Sequence, residues 1–246
     1  MGNLLHRVYT AFPKPPSTNL PTGQFTCDVY KMLPEGARVL DLGAKDGRGK
    51  RAAAGRKIRY IAADLCGSPG IDLLADAHAL PLRTCSVDAV FCVSVLMYCR
   101  NPFRVISEIF RVLKPGGLVY LSTAFVYRVA PDPDDYCRFS ASGLAQLCEE
   151  FQPIQTGFNR GPASTMADLL PHFFALLFSF NSNALRSVLL DVFQWAFFWI
   201  KYFDLVLNRY AAASVIHSGA FFFGRKPAPR PESNPVAHAG ILASAR

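Results

Sequence analysis

The feature that most constrains the fold is a series of short apolar runs separated by segments with helical spacing. Four such runs cover residues 38–42, 59–65, 87–95 and 118–124. Apolar runs of this length are typical of strands that are buried on both faces of a parallel sheet. Between the third and fourth runs, residues 102–113 place apolar side chains at helical spacing, and residues 114–117 form a predicted turn. Strand, helix and strand in this order predict right-handed βαβ units.

Length and composition indicate how the chain is divided. Its 246 residues suffice for one α/β domain with a core. We predict a leading segment over 1–36, with a helix near 26–33, and the domain itself over 37–226. Within the domain, 165–210 is an apolar helical insertion that precedes a closing strand at 215–224. Prolines accumulate after residue 226, so 227–246 is predicted to be a disordered tail.

Charge and cysteine content narrow the class of protein. The chain is 51% hydrophobic and 18% charged, which is typical of a globular protein, and its net charge is +8. Part of the positive excess lies in 48–59, which we interpret as a solvated helix face, with anionic lipid, nucleic acid or an acidic ligand as alternative partners. Seven scattered cysteines without a CxxC pair favour a reduced cytoplasmic protein without a zinc site.

The stretch from Val39 to Gly49 is a predicted ligand-binding turn. It takes the first strand into a glycine-rich bend that opens a helix. Glycine allows a ligand to approach the backbone, and a helix N-terminus offers free N–H groups. Asp64 lies 21 residues after Gly43 at the end of the second apolar run. Dinucleotide-binding folds place the acid that holds ribose hydroxyls there, so an NAD-dependent oxidoreductase is one interpretation.

Three further sequence motifs narrow the type of domain to which this turn belongs. They are DLLADAHALP at 72–81, SVDAV at 86–90 and NPFRVISEIFRVLKPGG at 101–117. In this order they resemble the class I S-adenosylmethionine (SAM)-dependent methyltransferases of the family called type 11, over about residues 37–150. The resemblance implies a Rossmann-like sheet of seven mostly parallel strands with helices on both faces. It also implies S-adenosyl-L-methionine as the cofactor and argues against the NAD interpretation.

The resemblance implies a set of cofactor-binding residues. Asp41 and Gly43 would line the methionine end of SAM, and Asp64 would hold the ribose. The Asp76 carboxylate would accept from the adenine amino group, and 92–95 would floor the site of transfer. The implied set comprises Asp41, Gly43, Ala44, Lys45, Gly47, Asp64, Leu65, Asp76, Ala77, Cys92 and Val93.

A second block suggests the substrate side. DPDDYCRFS at 132–140 resembles the DPDDYxRFT run of a bacterial subgroup whose members often accompany sugar and cell-envelope genes. The implied substrate-side residues are Tyr98, Tyr127, Asp135, Tyr136 and Arg138. No catalytic residue is identified, because methyl transfer needs a general base only when the nucleophile starts protonated.

The sequence departs from the family pattern at two places. Lys45 stands where the family has the second glycine of the turn, so its side chain either pairs with the carboxylate of SAM or crowds the pocket. Ser94, Met97 and Tyr98 replace the usual Glu and Glu-His after the fourth strand. These departures keep a second interpretation open, a non-catalytic SAM-binding or scaffold protein of the same fold.

The segment 184–208 is rich in Leu, Val, Phe and Trp, with Ser187, Gln194, Lys201 and Asn208 at intervals of seven. On a helix these residues form a polar stripe beside a broad apolar face. The longest charge-free run, 192–200, is too short to span a bilayer. Three interpretations remain: a cap over the substrate, a helix in the membrane interface at the inner face, or a homodimer surface. We expect a small-molecule, sugar or lipid-linked acceptor rather than nucleic acid.

Overall fold

The computed structural model of the chain describes residues 16–17, 29–45, 48–131 and 134–228. The predictions for Gly47, for most of the leading segment and for the tail after residue 228 fall outside these ranges. All structural statements below refer to the described residues.

The domain is built on one sheet of seven strands. Its order is β3-β2-β1-β4-β5-β7-β6, and the first five strands in that order are parallel. β7 runs antiparallel between β5 and β6. The strands are β1 (Arg38–Leu42), β2 (Arg59–Asp64), β3 (Leu73–Leu74), β4 (Val87–Val93), β5 (Leu113–Ala124), β6 (Gln152–Arg160) and β7 (Gly219–Arg225). The predicted seven-stranded, mostly parallel sheet is therefore confirmed.

The helices lie on both faces of this sheet because its central strands are apolar on both sides. In β1, Leu40 packs into one core and its neighbour Val39 packs into the other. Three α-helices accompany the sheet and three follow in the insertion: α1 (Arg48–Ala53), α2 (Pro102–Val112), α3 (Ala141–Leu147), α4 (Pro162–Phe178), α5 (Asn183–Phe197) and α6 (Asp204–Leu207). Helices α2 and α3 cover the Leu40 face, whereas residues 29–30 and Ala53 of α1 cover the Val39 face.

Local capping explains where the two helices of the first face begin. The Asn101 side chain accepts from the backbone N–H of Arg104 at 3.1 Å, and Pro102 occupies the first turn of α2. The Ser140 hydroxyl accepts from Gly143 N at 3.1 Å and so caps α3.

The boundaries of two predicted elements were wrong. Residues 114–117 fall within β5, where they form an irregularity of the register, since Leu113 pairs with Val87 and Leu118 with Ala89. A Cβ on Gly117 would lie 3.0 Å from the Asp88 carbonyl oxygen. The glycine thus permits the close approach that lets the strand start early. The closing strand β7 starts at Gly219, because Ala211–Val215 forms a 3₁₀ helix.

The apolar segment 184–208 is not one helix, contrary to expectation. Helix α5 ends at Phe197, the 3₁₀ helix Phe198–Phe203 follows, and α6 completes the segment. Lys201 and Asp204 are buried, and each has a distant backbone partner. Lys201 Nζ donates to Ser17 O at 2.6 Å, and Asp204 accepts from the first turn of α4. These contacts turn polar residues inward and break the predicted stripe.

Candidate functional site

The candidate site lies where the strand order reverses. The first strand of the sheet is β1, and β2 and β3 follow on one side of it. The chain then crosses to β4, which lies on the other side of β1. The crevice at the carboxyl ends of β1 and β4 is therefore a topological switch point, the place where open α/β sheets bind ligands.

A bend after β1 contacts Val95, two residues beyond the end of β4, in this crevice. Gly43 has a φ of 72°, and its N–H donates to Ala63 O at 2.9 Å. A Cβ on Gly43 would lie 2.2 Å from Cγ2 of Val95. Both the left-handed backbone and the close packing require glycine at this position, so the bend has the shape that the sequence predicts.

Lys45 adopts a left-handed backbone conformation at the position where the family pattern has a glycine. Its φ is 53°, which costs about 1 kcal/mol for a residue with a Cβ. Two hydrogen bonds hold this backbone: Lys45 N donates to Asp64 Oδ2 at 2.8 Å, and Ser68 Oγ donates to Lys45 O. The lysine is exposed rather than packed into the bend. The substitution therefore preserves the path of the turn.

Asp64 ends β2 beside the bend. Its Oδ2 accepts from Lys45 N, and its Oδ1 accepts from Cys66 N at 3.0 Å. A carboxylate oxygen has two lone pairs, so each oxygen retains the capacity to accept one more hydrogen bond. The two backbone contacts orient the carboxylate, and both oxygens can still accept further hydrogen bonds. A group that binds two neighbouring hydroxyls needs this remaining capacity.

Asp41 is a buried carboxyl near Asp64. The pKa of Asp41 is raised to about 6. Burial is the largest cause, a hydrogen bond from Tyr60 acts against it, and the negative charge of Asp64 adds to the rise. The Tyr60 hydroxyl donates to Asp41 Oδ2, and burial raises the pKa of this tyrosine. The ionised form of Asp41 is thus disfavoured in the free protein, and a positively charged ligand would stabilise it.

Asp76 follows β3 and is held by His78. Its Oδ1 accepts from His78 N at 2.8 Å and lies 2.6 Å from Nδ1. His78 Nε2 accepts from Asn101 N at 3.4 Å, so the ring proton is on Nδ1 and points at Asp76. These hydrogen bonds lower the pKa of Asp76 and keep it an acceptor.

Apolar surface is exposed between these carboxylates. Leu65 is 67% exposed directly after Asp64, Leu74 is exposed at the end of β3, and Ala77 is half-buried. Val93 at the end of β4 is exposed as well, whereas Cys92 is fully buried in the core. The Cys92 side chain is therefore unavailable to a ligand, which corrects its place in the predicted set.

A cavity of about 190 Å³ opens at the same edge of the sheet, beyond the end of β4. We call it the acceptor cavity. It includes two of the predicted substrate-side residues, Tyr98 and Tyr127, but not Asp64 or Asp76. Side chains that the sequence analysis had not selected as substrate residues also line it, namely Ser94, Met97, Thr123, Arg128, Asn159, Arg160 and Ser218.

The other three predicted substrate residues brace a loop instead of lining this cavity. Asp135 forms an ion pair with Arg138 and accepts from Ala130 N at 2.9 Å. Arg138 Nη2 also donates to Arg128 O at 3.2 Å, and Tyr136 N donates to Met97 O at 2.8 Å. Residues 135–138 of this run thus fix the loop that carries Arg128.

Asn159 and Arg160 were not predicted as site residues, because β6 has no apolar run. Its residues from Gln152 to Thr156 are exposed. The one available signal was the polar Asn-Arg pair before Gly161 and Pro162. Among the described residues, no group of three or more His, Cys, Asp or Glu side chains is arranged to hold a metal ion.

Sequence comparison relates the core of the domain to methyltransferases. Residues 40–121 match the family model described as a methyltransferase domain. A malonyl-[acyl-carrier protein] O-methyltransferase of Methylococcus capsulatus is 38% identical over 110 residues, which are 39% of this chain and 40% of the relative. An uncharacterized methyltransferase of Mycobacterium bovis is 33% identical over 41% of this chain and 44% of the relative. The chain thus spans less than half the length of these relatives.

Solved structures share the fold at low identity. Phosphoethanolamine N-methyltransferase 2 of Haemonchus contortus, solved with SAM, superposes with a TM-score of 0.55 at 18% identity and covers 83% of this chain and 52% of its own. The [4+2]-cyclase SpnF superposes with a TM-score of 0.54 at 20% identity over 84% and 81% of the two chains. A cyclase on this fold shows that architecture alone does not fix a reaction. Residues 40–121 therefore match a methyltransferase domain of the type 11 family, and the solved structures show that the sheet around them has the fold of SAM-dependent methyltransferases.

Proposed function

We propose that the domain binds SAM at the bend formed by 43–45 and transfers its methyl group to a small-molecule, sugar or lipid-linked acceptor in the acceptor cavity. One observation carries the proposal. Two carboxylates, Asp41 and Asp64, lie at the carboxyl ends of neighbouring strands beside a backbone bend that only a glycine at position 43 allows.

The residues present fit this cofactor. SAM carries a positive sulfonium and a positive ammonium, and the buried carboxyl of Asp41 is the group that such charges stabilise. Asp64 would accept the ribose hydroxyls, and Asp76 would accept from the adenine amino group. The exposed side chain of Leu65 offers the adenine ring an apolar surface.

The protein's part in the reaction is to bind and align. When bound, SAM supplies a methyl group on a positively charged sulfur, which a nucleophile displaces in line. The chain's own residues hold the acceptor in line with that methyl group and exclude water. No lining residue of the acceptor cavity is an Asp, Glu, His, Cys or Lys. The cavity therefore favours an acceptor whose nucleophilic atom needs no deprotonation.

A second candidate is a SAM-binding protein that does not transfer the methyl group. Its support is the combination of Lys45 at a glycine position with a cavity that has no strong base. Both functions require the same cofactor site. Formation of S-adenosylhomocysteine (SAH) from SAM in the presence of acceptor distinguishes the enzyme from the binding protein.

Calorimetric titration of the full chain tests the cofactor assignment. We expect saturable one-to-one binding of SAM and SAH and no binding of NADH, because Asp41 and Asp64 favour a cation over the anionic diphosphate of a dinucleotide. NADH binding as tight as SAM binding, or no heat with SAM and SAH, would contradict the assignment.

Affinity for SAM should fall as the pH falls from 7 to 5. The raised pKa of Asp41, about 6, means that the free protein protonates this carboxyl within that range. Its ionised form is the one that attracts the sulfonium, so affinity should drop about tenfold between pH 7 and pH 5. Asp41→Asn should bind more weakly with a flatter pH profile, and SAH, which lacks the sulfonium, should show a smaller drop. A pH-independent affinity for SAM would rule out this role of Asp41.

The helical insertion presents a large apolar surface, which we propose contacts a membrane. The usual distribution of side chains is reversed in this insertion. Lys201 and Asp204 are buried, whereas most large apolar side chains around them are exposed. We call this the apolar helical surface; its exposed members include Phe173, Leu176, Leu177, Phe178, Phe180, Val188, Val192, Trp195, Trp199, Tyr202, Phe203, Leu205 and Val206. Exposed Trp and Tyr side chains suit the depth of lipid headgroups, and a net charge of +8 suits anionic lipid.

This contact would be peripheral, at the inner face of the membrane. In the part of the chain that the structure describes, every helix falls short of the length and apolar character that crossing a bilayer requires. The same surface would also serve a homodimer, so lipid binding and self-association are the two outcomes to separate.

Flotation with liposomes separates these outcomes. We expect the chain to float with vesicles of 30 mol% anionic lipid, a composition chosen for its negative surface charge. A triple variant, Trp199→Ser, Phe203→Ser and Leu205→Ser, should remain at the bottom, because these side chains are exposed. Phe103→Ser removes a similarly exposed ring from α2 and serves as the control. A wild-type chain that stays at the bottom as a dimer would contradict the membrane contact.

A further inference from the structure

Two arginines in the acceptor cavity lie against the same aromatic ring. The Arg128 guanidinium carbon is 5.1 Å and the Arg160 guanidinium carbon 6.0 Å from the Tyr127 ring centroid. Both arginines line the cavity, and neither forms an ion pair with a carboxylate of the described residues. Two guanidinium groups that line one cavity without a carboxylate partner give it a positive potential, which a bound anion would offset. The pair therefore indicates a binding site for an oxyanion.

Buried polar atoms without partners lie in the same cavity. Thr123 and Ser218 are 2% and 1% exposed, and within the described part of the chain neither hydroxyl has a hydrogen-bond partner. Asn159 Oδ1 is also unsatisfied there, although its Nδ2 donates to Ser122 Oγ at 2.7 Å. An unsatisfied buried polar atom costs about 1–3 kcal/mol. Three such atoms around one cavity indicate a polar ligand that completes their hydrogen bonds.

A second, apolar space is lined in part by residues that follow Arg160 closely along the chain. Arg160 lines the cavity, and Pro162, two residues later, lines a second space of about 340 Å³. Only apolar side chains line that space, namely Pro162, Ala163, Met166, Ile200, Phe203, Val206 and Leu207. The chain thus passes directly from a cationic polar site to a groove that fits hydrocarbon.

We propose that the acceptor is an anionic amphiphile, with a carboxylate or phosphate held by Arg128 and Arg160 and a hydrocarbon chain in the apolar groove. Thr123, Asn159 and Ser218 bond the neutral polar part of its head. This inference rests on the proposed function, because it takes the cavity as the acceptor site, and it narrows the acceptor class from small molecule, sugar or lipid to an acid with a hydrocarbon chain.

Calorimetry on the full chain with defined probes tests the proposal. The probes are decyl phosphate and decanoate below their micelle concentrations, with inorganic phosphate and neutral decyl maltoside for comparison. We expect the two anionic amphiphiles to bind more tightly than both comparison probes. The double variant Arg128→Gln and Arg160→Gln should weaken that binding about 100-fold, since each charge-assisted hydrogen bond contributes about tenfold. Arg83→Gln, at an exposed position outside the cavity, should leave it unchanged.

Parallel titrations with SAH keep this test separate from the proposed function. The double variant should bind SAH like the wild type, so a chain that fails to bind SAH but binds decyl phosphate would overturn only the cofactor assignment. Equal affinity for decyl maltoside and decyl phosphate, or unchanged binding in the double variant, would overturn the anion site. Inorganic phosphate binding as tightly as decyl phosphate would overturn the hydrocarbon groove.

Thr123→Val adds a readout that a merely structural role would not produce. It replaces an unsatisfied buried hydroxyl with a methyl group of the same shape, so the thermal midpoint should rise while affinity for decyl phosphate falls severalfold. A fall in the midpoint with unchanged affinity would contradict a ligand-binding role for this hydroxyl.

Discussion

Replacing Asp64 with alanine should lower the affinity for SAH by at least about 100-fold. The carboxylate is expected to accept both ribose hydroxyls, and a hydrogen bond to a charged group contributes about 1.5–3 kcal/mol. The substitution also removes the acceptor for the backbone N–H groups of Lys45 and Cys66. Because Lys45 holds a left-handed conformation, losing that bond loosens the bend as well as the ribose contact.

Two variants control for this effect. Asp64→Asn keeps one carbonyl acceptor, so its loss of SAH affinity should fall between wild type and alanine. Glu149→Ala removes an exposed carboxylate after α3 and should bind SAH like the wild type. An alanine variant at position 64 that retained wild-type affinity for SAH would remove the ribose role from this carboxylate.

Replacing Asp204 with alanine should lower the free energy of unfolding by about 3 kcal/mol. Asp204 is 1% exposed, and its two oxygens accept from Ala163 N at 2.8 Å and Ser164 N at 2.9 Å. Helix α4 begins after Gly161, which has no side chain to cap it. Asp204 therefore caps α4 from another helix, and its loss leaves two buried N–H groups without an acceptor.

The packing around this cap explains why Gly161 is a glycine. A Cβ at that position would lie 2.5 Å from Asp204 Oδ1 and 2.2 Å from Asn208 Oδ1. Asp204→Asn keeps an acceptor but loses the charge, so urea unfolding should show a smaller destabilisation than with alanine. Asp191→Ala, on the half-buried side of α5, is the control for losing an aspartate from the insertion. A change below about 0.5 kcal/mol for Asp204→Ala would exclude the capping role.

The sequence predicted the sheet and the bend because their signals are local. Strand β1 must be apolar on both faces, since Val39 and Leu40 pack into opposite cores, and a continuous apolar run reveals this directly. The bend at Gly43 can likewise be predicted from the sequence, because a left-handed bend packed against Val95 leaves no room for a side chain.

The structure of the insertion and the lining of the cavity could not be predicted from the sequence, because the residues that form them contact each other across long separations along the chain. Asp204 is buried only because it caps a helix that starts at Pro162, and Lys201 is buried because it reaches Ser17. Periodicity assigns Lys201 to the polar stripe of a single helix. Arg128 and Arg160 meet at Tyr127 only after β6 pairs with β7, and β6 has the pattern of an exposed loop.

A crystal structure of the chain grown with SAH tests the cofactor site most directly. The account predicts the ribose 2′ and 3′ oxygens at about 2.6–3.2 Å from the Asp64 carboxylate. It also predicts the nucleoside against the Gly43 bend and the sulfur turned towards the acceptor cavity. Density for SAH that makes no contact with Asp64, or that fills the space between Arg128 and Arg160 instead, would contradict it.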